Sequence, residues 1–306
     1  MLRFPSRALA LVCVVAGALA CDPMDMGIPS TSADRPGPFE AATLELEFEN
    51  ANGVYSATVR YPSSDAQAPY PAVAYSPGLG SQKEFNAEVG AHLATHGYVV
   101  LTFTAPDRSL IQQKIDGLGT ALDVLVERGA DPTSPLFGLV DASRRVVMGH
   151  SQGGEAALQF AAVDRDLAAV IAQAPSIGFF APQPIDTISA PTLLQAATED
   201  KLVPFMNAVD AYEMQLRAAK QLVVIDGGNH VGFNDVGSPA QIAVMLGIDN
   251  PAKISNADQR LIARRYETAW LEFHVKGRKR FRSFIDGLRV RFDVKLGLLQ
   301  DARAAL

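Results

Sequence analysis

Short apolar runs alternate along this chain with longer stretches in which apolar residues return every third or fourth position. The first pattern is that of buried strands and the second that of helices with one buried face. Leu44-Glu45-Leu46-Glu47-Phe48-Glu49 alternates apolar with charged, Asn52-Gly53 turns the chain, and residues 54–61 run back, so an antiparallel hairpin is expected at a sheet edge. Residues 72–75, 98–103, 146–148, 167–172, 191–196 and 221–225 read as buried strands, with the last taken as the end of the sheet. Helical spacing covers residues 85–96 (Phe85, Val89, Leu93), 110–128 (Ile111, Ile115, Leu118, Leu122, Leu125), the stretch after 152, and 205–219. A last helix over 258–276, carrying Trp270, is expected to close the domain, and residues 234–257 read as an irregular insertion before it. Strand and helix in alternation predict an α/β class: a mostly parallel central sheet with helices on both faces and an antiparallel N-terminal hairpin.

The 306 residues suit one large domain, placed at 43–306, and 48% hydrophobic with 20% charged residues is the balance of an ordinary globular protein. A net charge of −6 with no long single-sign block argues against nucleic acid as a partner. The one basic run, Lys276-Gly277-Arg278-Lys279-Arg280, reads as a solvated helix end. Residues 1–20 stand apart: Arg3 and Arg7 precede an apolar stretch too short to span a bilayer, and Ala18-Leu19-Ala20 has the small-x-small form of a signal-peptide cleavage site. Cys21 follows directly and has no second cysteine outside that segment to pair with. Its position resembles the lipid-bearing cysteine of a bacterial lipoprotein, with Ala18 and Leu19 in the reverse of the usual order, so membrane attachment and free secretion both stand open. Residues 21–42, rich in proline, read as a flexible tether. A monomer is expected.

Chemistry enters at Val146-Val147-Met148-Gly149-His150-Ser151-Gln152-Gly153-Gly154. A strand stops at G-x-S-x-G and a helix of small residues follows, which is the nucleophile elbow of the α/β-hydrolase fold. Such a turn leaves no room for side chains at Gly149 and Gly153, and it lifts Ser151 above the sheet in a strained conformation. A serine hydroxyl is a weak nucleophile, so it needs a base and the base an orienting acid. In this fold the acid and then the histidine follow the serine along the chain. His92 and His96 precede the elbow, His150 lies within it and His274 within the last helix, which leaves His230, in a glycine-rich loop after a strand. Asp200, between the strand at 191–196 and the next helix, is the candidate acid, with Glu199 as runner-up; Asp226 leaves its strand on the same segment as His230 and is placed to miss it. For the oxyanion, the Gln152 amide at the start of the helix and the Leu79 amide in Ser76-Pro77-Gly78-Leu79-Gly80 are the candidate donors.

These segments, with Pro-Gly-Leu-Gly, residues 141–154, 185–200, 227–230 and Tyr266-Glu267-Thr268-Ala269-Trp270-Leu271, resemble the bacterial cutinase-like polyesterases across residues 40–285, and also chlorophyllase-like and dienelactone-hydrolase-like esterases. The resemblance implies an α/β-hydrolase with Ser151, Asp200 and His230 as triad, Leu79 and Gln152 at the oxyanion positions, and no metal or other cofactor. It also sets out departures: Leu79 stands where an aromatic residue is usual, Gln152 where Met is usual, Ser176 near the place of a stacking Trp, and the C-terminal disulfide is absent. Ser176, Ile177, Phe179, Phe180, Val203 and Phe233 are the candidate pocket residues, mostly apolar and without an evident counter-charge for an acidic substrate. The expected partner is a small neutral ester of short to medium acyl chain, cleaved through an acyl-enzyme. A cutinase-like polyester hydrolase, or a non-catalytic surface binding protein on the same fold, are the alternatives.

Overall fold

A computed structural model describes residues 28, 30–179, 184–235 and 240–306. Nine strands form one open sheet in the order β1-β2-β4-β3-β5-β6-β7-β8-β9. The expected edge hairpin is β1 (Ala41–Asn50) paired antiparallel with β2 (Gly53–Pro62). The parallel core consists of β3 (Tyr70–Ser76), β4 (Val99–Thr104), β5 (Val140–His150), β6 (Leu167–Gln173), β7 (Thr192–Ala197) and β8 (Lys220–Ile225). Its strands are nearly continuous apolar runs because helices cover both faces. On one face lie α2 (Ile111–Ala130) and α3 (Gln152–Val163); on the other lie α1 (Ala87–Thr95) and α6 (Asn256–His274).

The structure departs from the sequence pattern in five places. β5 is longer than the apolar triplet that announced it. The helix expected over 205–219 is α4 (Met206–Asp210) plus one wide turn, Ala211–Gln215, after which Leu216 donates its amide to Ala211 and the chain is extended. The segment 234–257 is not irregular throughout, since it holds α5 (Ala240–Met245). Neither β8 nor α6 ends the domain: α7 (Leu288–Lys295) follows, and then an edge strand, β9 (Leu299–Ala305), that pairs antiparallel with β8. Only one side chain of β9 is fully buried, so it carries almost no hydrophobic signal. Residues 30–42, expected to belong to a tether, are fixed to the body. Ala33 and Asp34 are buried, the Phe39 amide bonds the Thr95 carbonyl, and Asp34 pairs with Arg265 of α6 at 2.6 Å. The proposed signal segment, Cys21 and Phe180 lie outside the described residues.

Candidate active site

The carboxyl ends of β3, β5, β7 and β8 bring together the residues singled out by sequence. At the end of β5 the chain passes into α3 through Ser151, whose φ of 56° and ψ of −121° put it in a region that side-chain-bearing residues avoid. The turn is closed by backbone. A Cβ on Gly149 would lie 2.2 Å from the Gly153 carbonyl oxygen, and one on Gly153 would lie 2.0 Å from that of Ser76. The Ser151 amide donates to the Gln173 carbonyl at 2.8 Å, and the Ser151 carbonyl accepts from the Ser176 amide at 3.3 Å, so the strained residue is bonded at both ends.

His230 and Asp200 come from the loops after β8 and β7. His230 Nδ1 lies 2.7 Å from Asp200 Oδ2 with both side chains buried. A carboxylate accepts, so Nδ1 carries the hydrogen and Nε2 is left as an acceptor. Burial pushes the Asp200 carboxyl above its ordinary range, and the hydrogen bond from His230 acts in the opposite direction. Asp200 Oδ1 accepts the Val203 amide at 2.7 Å, which fixes the plane of the carboxylate. Glu199 pairs outward with Lys253, and Asp226 accepts from Thr198; neither meets His230. Of the other histidines, His92 and His96 bond backbone carbonyls of Ala33 and Arg35, and His274 packs at a tilt against Trp270, each with its pKa lowered by burial. His150 is held neutral by burial beside His230 and bonds the His230 carbonyl at 3.2 Å.

Ser151 and His230 face one cleft of about 350 Å³, walled by Gly78, Leu79, Phe85, Phe179, Leu202 and Val203. A Cβ on Gly78 would lie 3.2 Å from the Ser151 Cβ, so the loop after β3 packs directly on the serine. The Gln152 amide stands at the first position of α3, where no intrahelical acceptor exists. Its side chain faces away from the cleft and donates to the Ser109 carbonyl at 2.8 Å. Of the sequence-derived pocket residues, Ser176, Phe179 and Val203 line the cleft. Ile177 and Phe233 do not: Ile177 packs on the α2–α3 core, and Phe233 is turned inward behind His150 at a ring separation of 5.8 Å.

Two supporting carboxylates escaped the sequence. Asp249 Oδ1 accepts the Lys201 amide at 3.0 Å and its Oδ2 the Val231 amide at 3.2 Å, clasping the two loops that present Asp200 and His230. Glu155, buried in α3, accepts from Ser176 Oγ and the Gly178 amide, both at 3.0 Å, and so shapes the cleft wall. No spacing rule marks either residue, because each acts on loops distant in sequence. A larger open depression of about 820 Å³ lies among Arg35, His96, Arg278 and Phe281, away from Ser151, Asp200 and His230. Among the described residues no group of His, Cys, Asp and Glu is arranged to hold a metal ion.

The geometry is matched by kinship. The chain is 28% identical to the cutinase cut1 of Thermobifida fusca over 294 residues, covering 93% of this chain and 82% of that protein. It is 30% identical over 233 residues to the cutinase est2 of Thermobifida alba, covering 71% and 72% of the two chains. With a bis(hydroxyethyl) terephthalate hydrolase of Streptomyces coelicolor it shares 28% over 212 residues, 68% of this chain and 64% of that one. The family model described as PET hydrolase-like matches residues 20–290, and the chain therefore belongs to the PET hydrolase-like family of α/β-hydrolases and is a serine carboxylic-ester hydrolase.

Proposed function

We propose that Ser151 is the nucleophile, His230 its general base and Asp200 the acid that orients the base. The carrying observation is the His230 Nδ1–Asp200 Oδ2 contact at 2.7 Å beside a serine strained into the same cleft. His230 Nε2 takes the hydroxyl proton as Ser151 Oγ attacks the ester carbonyl. The tetrahedral oxyanion is held by the amides of Leu79 and Gln152, and the proton returns to the departing alcohol. Water, activated by the same imidazole, then attacks the acyl-enzyme and frees the acid and Ser151.

The cleft sets the substrate. Its wall is apolar, which suits an uncharged acyl group and leaves a carboxylate-bearing ester without a counter-ion. Short to medium neutral esters are the preferred class. A second reading, an aromatic polyester, is favoured by one observation: Leu79 and Phe179, exposed by 52% and 61%, leave the cleft mouth apolar and open. A series of p-nitrophenyl esters of rising chain length, with a polyester film beside it and Ser151→Ala as the control, separates these. Ser151→Ala is expected to lower kcat by several orders of magnitude, and retention of activity would sink the assignment. In the wild type the dependence on chain length is expected to be graded, since each buried methylene contributes about 0.8 kcal/mol, with its optimum at short to medium chains; fastest turnover on the film favours the second reading, and fastest turnover on the longest chains overturns the chain-length preference.

Residues 1–20 are proposed to direct export, leaving Cys21 as the first residue of the mature chain. The intact mass of the protein recovered from a bacterial host, cells and medium alike, tests this. Added lipid mass on a chain starting at Cys21 means an anchor, an unmodified Cys21 means a released enzyme, and retention of residues 1–20 refutes export through this segment.

A further inference from the structure

We propose that Lys114 is a positioning residue for the oxyanion hole, holding the Gly78–Leu79 peptide so that the Leu79 amide points into the cleft. The inference rests on the assignment of that amide above. Lys114 lies in the first turn of α2 and is 1% exposed, yet among the described residues no carboxylate pairs with it. Its Nζ is instead 3.1 Å from the Pro77 carbonyl oxygen and 3.0 Å from that of Gly78. These are the two carbonyls that precede Leu79 in the loop beside Ser151.

The geometry has a direct consequence. A trans peptide is planar, with its C=O and N–H pointing in opposite directions. A donor that fixes the Gly78 oxygen therefore fixes the direction of the Leu79 hydrogen. An ammonium does more than a neutral donor, because a charged hydrogen bond is stronger and polarises the peptide towards a better N–H donor at its far end. The same positive charge lies one peptide away from the place where negative charge develops. A buried cation is costly to keep without a counter-ion, so an apolar residue here would serve the fold better.

The groups facing Lys114 are few. Asp107 and Arg108, in the turn before α2, act in opposite senses, and His150 beneath Gly78 is kept neutral by burial. Burial pushes the Lys114 ammonium down to about 8, which leaves it charged at neutral pH and able to lose its proton in mildly alkaline solution.

The test compares Lys114→Met, which keeps the stem and removes the donor, with Lys114→Arg, which keeps charge and donors. On a p-nitrophenyl ester, Lys114→Met is expected to lose roughly ten- to a hundredfold in kcat with little change in KM, part of what a whole oxyanion donor supplies. Lys114→Arg is expected to recover most of that loss. In the wild type kcat should fall as pH rises through about 8, and this limb should vanish in Lys114→Met. A structural role would instead lower the melting temperature and leave the pH profile unmoved. Full kcat in a folded Lys114→Met, or a loss that tracks its melting temperature, overturns the proposal. Loss of activity in Ser151→Ala together with full activity in Lys114→Met overturns the positioning role alone, whereas activity in Ser151→Ala overturns the site assignment beneath it.

Discussion

Two long basic side chains are buried on opposite faces of the sheet, and the protein keeps them there by different means. Arg265, on α6, is fully enclosed between Asp34 at 2.6 Å and Asp293 at 2.9 Å, and Asp293 also accepts from the Tyr266 hydroxyl at 2.9 Å. Lys114, on α2, has among the described residues only two backbone carbonyls as partners. The first arrangement returns in ion pairs and hydrogen bonds much of what desolvation takes away, and it ties the N-terminal segment to α6 and α7. The second leaves a cation uncompensated at a short distance from the nucleophile. A buried charge with full partners marks scaffold, and one without them marks chemistry.

The contrast can be broken at either end. Arg265→Met leaves the buried Asp34 carboxylate without its cation and Asp293 with Arg289 as its remaining one, and a loss of about 3–5 kcal/mol is expected, seen in thermal unfolding as a fall of roughly 5–10 °C. A melting temperature close to the wild type would show the network to be replaceable. Glu267 supplies an intermediate case on the same helix as Arg265. It is buried against Gln173 Nε2 at 2.5 Å, with no ion pair among the described residues, and burial raises its pKa from 4.5 to about 7 against the smaller opposing effect of Arg264. Between those two values the folded protein holds a proton that the unfolded chain has released, so stability falls as pH rises through that window and levels off above about 7. Glu267→Gln is expected to remove this slope and to gain up to about 3 kcal/mol at pH near 8, read from denaturant midpoints at several pH values. An unchanged slope would place the proton elsewhere. The smallest effect is expected at Lys114. Its folded pKa lies below that of the free side chain, so the charged form costs stability at neutral pH, and Lys114→Met should melt a few degrees higher while it loses turnover. A variant that is both slower and less stable would erase the distinction between the two basic residues.

The same contrast explains what the sequence disclosed. The elbow was legible because a Cβ on Gly149 or Gly153 would lie 2.0–2.2 Å from a backbone oxygen, so that only glycine fits at either position. His230 was legible by its place after a strand, and Asp200 by chain order. Asp249 was hidden because it works across loops separated by 18 and 48 residues. Lys114 did leave a trace: it sits with Ile111, Ile115 and Leu118 on the buried stripe of α2, where a lysine breaks the apolar pattern. Arg265 and Glu267 left no such trace on α6, since pattern alone does not distinguish a paired buried charge from a hydrated one. β9 was missed because an edge strand with one buried side chain has no periodicity to detect.

The closure of the elbow by main chain has a consequence for how this protein can change. Ser151 and the loop that faces it are keyed to one another through Gly153 against the Ser76 carbonyl, main chain against main chain. The reacting geometry is thus written in backbone, while the cleft mouth is written in exposed side chains such as Leu79 and Phe179. Substitutions at the mouth touch what is admitted and leave the joint alone, so substrate range is free to drift while the chemistry stays fixed. Descendants of one ancestor can accordingly differ at most positions, and take up new esters one rim residue at a time, without rebuilding the machinery beneath.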